Sequence, residues 1–248
     1  AMGWGLSFPQ VFNIYWHPAQ MDASYSGFLT VDGHTYIIAE ADGYQDRNWG
    51  RRFPEWWFWM AINSFDENPD SAFAGGGGDA RTRDGLKLPT AILLGLWHEG
   101  QMYEFRTSDF RHLFRWQMEL GRWEIQAINQ NHRLRISASA DPESMMDVPF
   151  RTPDGNTFHD YETLGGAAHI ELYERQSLFR WEKIADLSTQ NAAGLELGLD
   201  HKAPVLGDTS FSVVGLLDVR HSTSPSPSSL RPRLPLKLEP YLSEYRTD

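Results

Sequence analysis

Apolar and polar residues alternate in short runs along most of this chain. An alternation with a period of two places apolar side chains on one face of a β-strand, whereas a helix repeats them every three to four residues. The runs therefore predict strands at 11–17, 25–31, 34–41, 56–65, 86–97, 101–107, 114–118, 123–129, 134–140, 168–174, 179–184 and 194–199.

Turn signals separate these runs. Asp32-Gly33 and Glu99-Gly100 favour tight hairpins, and Gly121 and Asn131 mark further turns. Strands that follow one another at short intervals with glycine turns are typical of a closed antiparallel barrel or a sandwich. The chain of 248 residues is long enough to form one large β domain with a substantial core.

Some segments interrupt the strand pattern. The Gly75–Gly78 run predicts a flexible turn, since it lacks the lysine and the following helix of a phosphate-binding loop. Asp141–Gly166 predicts a long polar loop, of the kind that often gates a site. Ala185–Ala193 predicts one short helical turn. Residues 221–248, rich in Ser and Pro, predict an extended or disordered tail after a β domain at 1–220.

The most aromatic stretch runs from Gly43 to Phe65. Its glycines allow sharp turns, and Pro54 closes a turn before a strand that begins at Trp56. In that strand, the odd-numbered residues from Trp57 to Asn63 point one way and the even-numbered residues point the other way. Both faces are too apolar for open solvent, so we expect one to face a core and the other a second apolar body or a cavity.

Composition and charge narrow the range of partners. The chain carries 22 basic and 33 acidic residues, a net charge of −11, which argues against nucleic acid and anionic membranes. The acidic segment Asp141–Glu174 predicts a solvated face. Cysteine is absent, and no window approaches the ~20 apolar residues of an integral membrane segment. No signal peptide is visible, so we expect a cytoplasmic protein. The aromatic content of the strands favours a hydrophobic small molecule as its partner.

Asp46, between Tyr44 and Asn48, is the candidate catalytic acid. A barrel interior lined by Trp and Phe suits a hydrophobic ligand. A carboxylic acid that burial keeps neutral can act as a general acid, and the faces of nearby indoles stabilise a cation formed on the substrate. An acid beside a Trp cluster therefore fits the protonation of an alkene or epoxide. The alternative is that Asp46 is a turn residue that binds backbone N–H groups.

The other candidates also have structural alternatives. Tyr44 either holds Asp46 and positions the substrate or is a strand-end aromatic residue, and Asn48 either contacts the substrate or fixes the turn. His98-Glu99 and His159-Asp160 are isolated pairs without the spacing of metal ligands, so we predict no metal and no cofactor. The remaining substrate-binding candidates, which could instead belong to the core, are Trp16, Trp49, Trp57, Trp59 and Asn63.

The segment from Tyr44 to Phe65, YQDRNWGRRFPEWWFWMAINSF, resembles the signature of the tocopherol cyclase-like proteins. AGGGGDAR at 74–81 and HEGQMYEF at 98–105 resemble later segments of the same family. The resemblance covers 11–199, and the superfamily also contains the carotenoid 1,2-hydratases and the lipocalin-like Diels–Alderases. The cyclases usually carry Glu where this chain has Asp46, and the hydratases carry Asp, so the subfamily stays open.

The resemblance implies an all-β, antiparallel lipocalin-like β-barrel that corresponds to the C-terminal half of the family's two-domain chain. It also implies that Asp46 is the proton donor, and that His17 takes the place of the histidine that hydratase-like proteins have ahead of their Tyr-x-Asp motif. The alternative for His17 is a structural histidine. We therefore expect a cofactor-independent cyclase or hydratase, of the lyase or isomerase type, acting on an isoprenoid or polyketide substrate. Two alternatives stay open: a pericyclase of the Diels–Alderase type, which folds a polyene without proton transfer, and a non-enzymatic carrier.

Overall fold

The computed structural model describes residues 12–79, 81–82, 84–109, 111–152 and 155–203, together with the backbone of 213–216 and 243–244. None of these residues lies in an α-helix, and a short 3₁₀ helix spans Pro142–Ser144. The strands are β1 (Ile14–Val31), β2 (His34–Gly50), β3 (Trp56–Ile62), β4 (Ala72–Gly78), β5 (Ala91–His98), β6 (Gln101–Arg106), β7 (Leu113–Glu119), β8 (Arg122–Ile128), β9 (His132–Ser139), β10 (Met146–Arg151), β11 (Thr157–Arg175), β12 (Trp181–Leu199), β13 (Val213–Leu216) and β14 (Ser243–Glu244).

The strands form two sheets. In the larger sheet they are hydrogen-bonded in the order β13-β7-β8-β9-β11-β12-β3-β4-β5-β6, and β10 pairs with β11 beside this row. In the smaller sheet, β1 and β2 form a long hairpin and β14 pairs with β2. Every pairing between these described strands is antiparallel. The predicted all-β, antiparallel fold class is confirmed.

An apolar core formed by the described strands lies on one face of the larger sheet. Leu94 on β5 and Phe105 on β6, at one edge of the sheet, share this core with Trp116 on β7 and Trp123 on β8, near the other edge. Strands from the two ends of one sheet contact the same core only if the sheet curls around it. The described strands therefore form a half-barrel, which confirms the predicted lipocalin-like β-barrel architecture.

β3 separates this core from a second buried layer. Met60 is fully buried in the core, whereas Trp57 and Trp59 point to the opposite, outer face of the sheet. The β1–β2 hairpin covers part of this outer face, because the ring of Trp16 in β1 lies against Gly76 in β4. The prediction that neither face of this strand is open to solvent is confirmed.

The two predicted tight hairpins are present. Asp32-Gly33 joins β1 to β2 and Glu99-Gly100 joins β5 to β6, and all four residues have positive φ, as the favoured hairpin turns require. The predicted end of the first strand is wrong, because β1 continues past Pro18 to Val31. The ladder with β2 changes register just after Pro18, at an irregularity where a residue without an N–H is tolerated.

The segment from Gly43 to Gly50 belongs to β2, so the predicted turn there is wrong. The glycine run at Gly75–Gly78 is likewise a strand rather than a flexible turn. A Cβ on Gly77 would lie 2.5 Å from the carbonyl oxygen of Ala91, far inside a normal contact distance of about 3.5 Å. Glycine is therefore needed at this position because the neighbouring strand approaches β4 closely.

The predicted polar loop at Asp141–Gly166 is also wrong, since most of it forms β10 and the first half of β11. Pro149 and Gly166 occupy positions that strands tolerate. Pro149 lies in β10, which among the described strands pairs with β11 alone and so leaves one edge unpaired. Gly166 lies at a register shift in the β11–β12 ladder.

The predicted helical turn at Ala185–Ala193 is wrong for a different reason. The segment lies inside β12, which pairs with β11 and, further along, with β3. Ala185, Leu187 and Thr189 are buried, with the period of two that a strand requires. Pairing with a neighbouring strand thus decides the conformation of a segment whose local sequence is ambiguous.

The remaining predictions concern the ends of the chain and the membrane. The predicted tail at 221–248, and with it the domain boundary at 220, lies outside the described residues apart from the two residues of β14. In the described part of the chain, no helix has the length and apolar character that crossing a bilayer demands.

Candidate active site

Asp46 lies in β2 among aromatic residues. Trp16 in β1 donates a hydrogen bond of 2.6 Å from Nε1 to Oδ2 of Asp46, and the Tyr44 hydroxyl donates to the same oxygen at 3.0 Å. All three side chains are half-buried. They share one face of the hairpin because Trp16 pairs across the ladder with Asn48, and Tyr44, Asp46 and Asn48 are spaced by two along β2. The two donors fix the position of the carboxyl group.

Tyr44 connects this carboxyl group to the larger sheet. Nε1 of Trp59 donates a hydrogen bond of 3.2 Å to the Tyr44 hydroxyl, and the two rings make an edge contact with centroids 5.2 Å apart. Burial raises the pKa of the Tyr44 phenol above its ordinary value of 10, so the hydroxyl keeps its proton and remains a donor to Asp46. Hydrogen bonds therefore run without interruption from β3 through Tyr44 to the acid.

Glycines provide the space for these indole rings. A Cβ on Gly76 of β4 would lie 3.2 Å from the Trp16 ring, and a Cβ on Gly194 of β12 would lie 3.0 Å from the Trp59 ring. Both distances are tighter than ordinary carbon contacts. The sheet is thus bare of side chains where the two rings lie against it, which lets the hairpin approach β3 and β4.

Three further carboxyl groups share this outer face: Asp160 and Glu162 on β11 and Glu196 on β12. One oxygen from each lies within 4.8 Å of the others. Glu196 is the cross-strand partner of Glu162 on one side and of Trp59 on the other, which places the acids beside the tryptophans of β3. Trp57 donates a hydrogen bond from Nε1 to Oε1 of Glu196.

Burial raises the pKa of two of these carboxyl groups. For Asp160, loss of hydration and the negative charges of Glu196 and Glu162 raise the pKa to about 8. For Glu196, burial and the charges of Glu162 and Asp46 raise the pKa to about 7, against the opposing hydrogen bond from Trp57. Oδ1 of Asp160 is buried without a hydrogen-bond partner in the described part of the chain, which disfavours its ionised form. The pair therefore keeps a proton near neutral pH.

An aromatic cluster flanks the acids. Its members, with ring centroids 5.0 to 6.1 Å apart, are Phe53, Trp57, Phe150 and Phe158. Phe158 lies two residues before Asp160 on the same face of β11, and Trp57 contacts Glu196 directly. The acids are thus bordered by aromatic rings, which exclude water and offer π-faces to a cation.

The three carboxyl groups of β11 and β12 could also bind a metal. Oxygen-only ligand sets suit hard cations such as Ca²⁺ and Mg²⁺. A cation requires the carboxyl groups in their ionised form, whereas burial here favours the protonated form. The arrangement can therefore store a proton or bind a hard cation, but one excludes the other. The prediction that the chain uses no metal stays a prediction.

Residues 1–199 match the family model of the tocopherol cyclase-like proteins. This chain belongs to the tocopherol cyclase-like family. It is 26% identical over 199 residues to the Oryza sativa subsp. japonica protein described as "Probable tocopherol cyclase, chloroplastic", over 79% of this chain and 42% of that protein. It is 27% identical over 200 residues to the tocopherol cyclase, chloroplastic, of Zea mays, over 79% of this chain and 41% of that protein. The chain thus spans about two fifths of the length of these relatives.

Among solved structures, kievitone hydratase from Nectria haematococca is similar over 77% of this chain and 54% of that chain, with 13% identity and a TM-score of 0.40. The family predicted from residues 44–65 is confirmed. The cytoplasmic location stays a prediction.

This tocopherol cyclase-like chain brings several of its predicted site residues together. Asp46, Tyr44, Trp16 and Trp59 form one hydrogen-bonded group, and Trp57 contacts an acid on the same face. Their placement is observed, whereas their roles in catalysis stay predictions.

The two predicted asparagines lie at the margin of this group. Nδ2 of Asn63 donates a hydrogen bond of 2.8 Å to the carbonyl oxygen of Gly43, which ties the backbone of β2 to the end of β3. Asn48 pairs across the ladder with Trp16 and is exposed. Asn63 is therefore placed to hold the hairpin in position, and Asn48 lies at the solvent side of the site.

Trp49 and His17 are not brought to the acid. Trp49 stacks on Tyr15 with centroids 5.5 Å apart and is 39% exposed. His17 is exposed, and because it follows Trp16 in β1 it points to the other face of the strand.

Sequence reasoning missed the acids of β11 and β12. Asp160 and Glu162 fall within Asp141–Glu174, where a solvated acidic face was predicted, and for these two half-buried residues that prediction is wrong. Glu196 offered a signal, since it is the one charged residue in the apolar run from Gly194 to Leu199. A single carboxyl group in an otherwise apolar strand indicates either a buried polar contact or a site.

Proposed function

We propose that this chain catalyses a proton-initiated cyclisation or hydration of a hydrophobic isoprenoid or polyketide substrate that carries a carbon–carbon double bond, without a cofactor. One observation carries the proposal: Trp16 and Tyr44 hold the carboxyl group of Asp46 in the hairpin that covers the outer face of the larger sheet, where indole rings and carboxyl groups with raised pKa values lie. A positioned acid among aromatic faces fits the protonation of an alkene.

The proposed step balances without any oxidant or reductant. The carboxyl O–H of Asp46 breaks, and its proton forms a C–H bond at the less substituted carbon of the double bond. The other alkene carbon becomes a cation, which the π-faces of Trp16 and Trp59 stabilise. A hydroxyl oxygen of the substrate closes a ring on that cation, or a water oxygen adds to it. The proton released from this oxygen returns to the carboxylate of Asp46.

In this proposal Asp46 donates the proton to the substrate. Asp160 and Glu196 are neighbouring acids whose raised pKa values favour their protonated forms near neutral pH. Burial and nearby negative charges, that of Asp46 among them, raise the pKa of Glu196 to about 7, so the site retains an acidic proton beside Asp46 near neutral pH. Tyr44 then orients the Asp46 carboxyl group and stabilises its conjugate base through the hydrogen bond at 3.0 Å.

Family membership supports the class of reaction. The relatives from rice and maize carry the name tocopherol cyclase. This chain spans only about two fifths of their length. Their activity therefore enters here as part of the proposal.

The test uses a phenol with a prenyl chain next to its hydroxyl group, because such a molecule carries both the alkene and an internal oxygen nucleophile. In heavy water the unchanged protein should form the ring or the alcohol with one deuterium on carbon. Asp46→Asn keeps the size of the side chain but removes the acidic proton, so the rate should fall about 10²–10⁴-fold. Product mass and rate are measured together.

Asp42→Asn, in the same strand but exposed, is the matched control and should keep the rate of the unchanged protein. A product without deuterium, formed equally fast by Asp46→Asn, would indicate a pericyclase. Tight binding without turnover in any variant would indicate a carrier.

A further inference from the structure

The hairpin that joins β11 to β12 ends in an exposed apolar pair. Leu178 is 72% exposed and Phe179 is 90% exposed, and the two residues are adjacent in the bend between the strands. The backbone N–H groups of Gln176 and Ser177 close this bend by donating to the carbonyl oxygen of Arg180, at 2.9 and 3.2 Å. Leu178 and Phe179 thus form an apolar tip at the end of the hairpin, and such exposed apolar surface is a candidate for contact with another body.

Side-chain contacts hold the apolar tip at its base. Arg175 donates a hydrogen bond of 3.3 Å from Nη1 to the carbonyl oxygen of Leu178. It also donates one of 2.7 Å from Nε to the carbonyl oxygen of Gln130, in the turn between β8 and β9. Its guanidinium lies 4.1 Å from the centroid of the Trp181 ring. The tip is therefore presented in a fixed position, which lowers the entropy lost when it binds.

Arginines and aromatic rings surround this base. On the face of the sheet opposite the core, the guanidinium of Arg133 lies 4.2 Å from the centroid of Tyr173 and 5.1 Å from that of Trp181. Within the described part of the chain, Arg133, Arg175 and Arg180 form no ion pair with a carboxylate. Their positive charges are thus available to an anionic partner.

The local charge of this region differs in sign from the net charge of the chain. The net charge of −11 argues against attraction of the whole protein to an anionic membrane. Charges further away than the Debye length, about 8 Å at physiological ionic strength, are however largely screened. The carboxylates at the same level, Glu174 and Glu182, are cross-strand partners on the other face of the sheet. A bilayer that approaches the tip therefore meets the arginines first.

We propose that the apolar tip attaches this protein to the surface of an anionic lipid bilayer. Leu178 and Phe179 insert among the acyl chains, and the three arginines at the base of the tip attract phosphate groups of the lipid headgroups. Trp181 and Tyr173 suit the same boundary, because Trp and Tyr side chains favour the membrane–water interface. Attachment of this kind is independent of the proposed reaction, since binding to a bilayer requires no turnover.

Co-sedimentation with vesicles of two parts phosphatidylcholine and one part phosphatidylglycerol tests the attachment. The unchanged protein should bind these vesicles about tenfold or more tightly than vesicles of phosphatidylcholine alone, because several arginines contribute. The double variant Leu178→Ser/Phe179→Ser should bind about tenfold or more weakly, since it leaves little apolar area to insert. Phe28→Ser/Leu29→Ser, which removes an exposed apolar pair from β1, is the matched control and should bind like the unchanged protein.

The charge contribution has its own pair of variants. Arg180→Gln should weaken binding to the mixed vesicles about fivefold, as expected for one cation near an anionic surface. Arg122→Gln is the control, because Arg122 is also exposed but lies at the opposite end of β8 from the turn at Gln130.

A fluorescent label reports insertion directly. The chain contains no cysteine, so Phe179→Cys accepts a single environment-sensitive fluorophore. Its emission should shift to the blue with the mixed vesicles, whereas the same label on Phe28→Cys should not shift. The proposal is overturned if the unchanged protein does not sediment with the mixed vesicles, if the control double variant loses as much binding as the tip variant, or if the label on Phe179→Cys does not shift. Self-association that Leu178→Ser/Phe179→Ser abolishes, without vesicle binding, would assign the tip to a second copy of the chain instead.

Discussion

The indole of Trp57 occupies the space directly above Gly198, since a Cβ on that glycine would lie 1.9 Å from Cε2 of the ring. The two residues are cross-strand partners on β3 and β12. This placement brings Nε1 of Trp57 to Glu196, two residues before the glycine. The absence of a side chain at Gly198 is therefore a condition for the contact between an indole and an acid with a raised pKa.

Gly198→Ala should consequently displace Trp57. Forcing extra volume into a packed site costs about 1–3 kcal/mol of the free energy of unfolding, which urea denaturation measures. Gly165→Ala is the control, because a Cβ there would come no closer than 3.9 Å to another atom. Equal stability of the two variants would show that the Trp57 ring moves freely and that its contact with Glu196 is not fixed by packing.

The sequence predicted much of the fold, and the segments that it did not predict have identifiable physical reasons. The alternation of apolar and polar residues predicted β7 and β8 directly. In the structure, one face of each strand contacts the core. β4 was missed because its residues are glycine for a tertiary reason: carbonyl oxygens and aromatic rings of neighbouring strands leave no room for side chains there. The local sequence does not reveal these contacts. β12 was missed in part for a similar reason. Its segment from Ala185 to Ala193 was predicted as a helical turn, but pairing with β11 holds it in a strand.

Trp16→Phe should reduce turnover without unfolding the protein. The substitution keeps an aromatic ring against Gly76 but removes the N–H that binds Asp46 at 2.6 Å. A hydrogen bond to a charged group contributes about 1.5–3 kcal/mol, so kcat should fall roughly ten- to hundredfold. Trp49→Phe is the control, because Trp49 lies outside the hydrogen-bonded group formed by Asp46, Tyr44, Trp16 and Trp59. If both variants lose the same activity, the effect comes from the hairpin as a whole rather than from the Trp16 donor.

The free energy of unfolding should fall as pH rises from about 4 to about 8. The pKa of Glu196 is raised from 4.5 to about 7 and that of Asp160 from 3.8 to about 8. Between the ordinary and raised values the folded chain holds protons that the unfolded chain has lost, so a rise in pH favours unfolding. Above about pH 8, Glu196 and Asp160 should cause no further change in the free energy of unfolding.

Glu196→Gln should flatten this dependence, and Glu182→Gln, an exposed residue of the same strand, should leave it unchanged. Denaturation with urea at a series of pH values measures both. A stability that rises between pH 5 and 8 in the unchanged protein would contradict the assignment of protons to Asp160 and Glu196.

Chelation should leave the activity unchanged. The oxygens of Asp160, Glu162 and Glu196 lie within 4.8 Å of one another, but a cation there would displace the proton that the proposed reaction keeps nearby. Turnover is compared before and after dialysis against EDTA, and again with added Ca²⁺ or Mg²⁺. Loss of activity on dialysis, restored by either ion, would assign the three carboxyl groups to a metal instead.

The sequence predicted the site only where its residues lie close together along the chain. Tyr44 and Asp46 lie two residues apart in one motif, and their shared face follows from strand geometry. Asp160 and Glu196 come from segments that are distant in the sequence and meet only because β11 and β12 pair in one register. Hydropathy alone also could not separate the outer tryptophans of β3 from the core residues between them.

Trp59 and Met60 offer a direct test of that separation, because they are adjacent in β3 and point to opposite faces. Met60 is fully buried in the core, so Met60→Ala should cost about 2–5 kcal/mol of the free energy of unfolding. Trp59 contacts Tyr44 on the outer face. Trp59→Ala should therefore lower turnover or ligand affinity while the protein still folds. Denaturation and turnover are measured on both variants. If Trp59→Ala unfolds the protein as readily as Met60→Ala does, the outer aromatic layer is a second core rather than the wall of a substrate site.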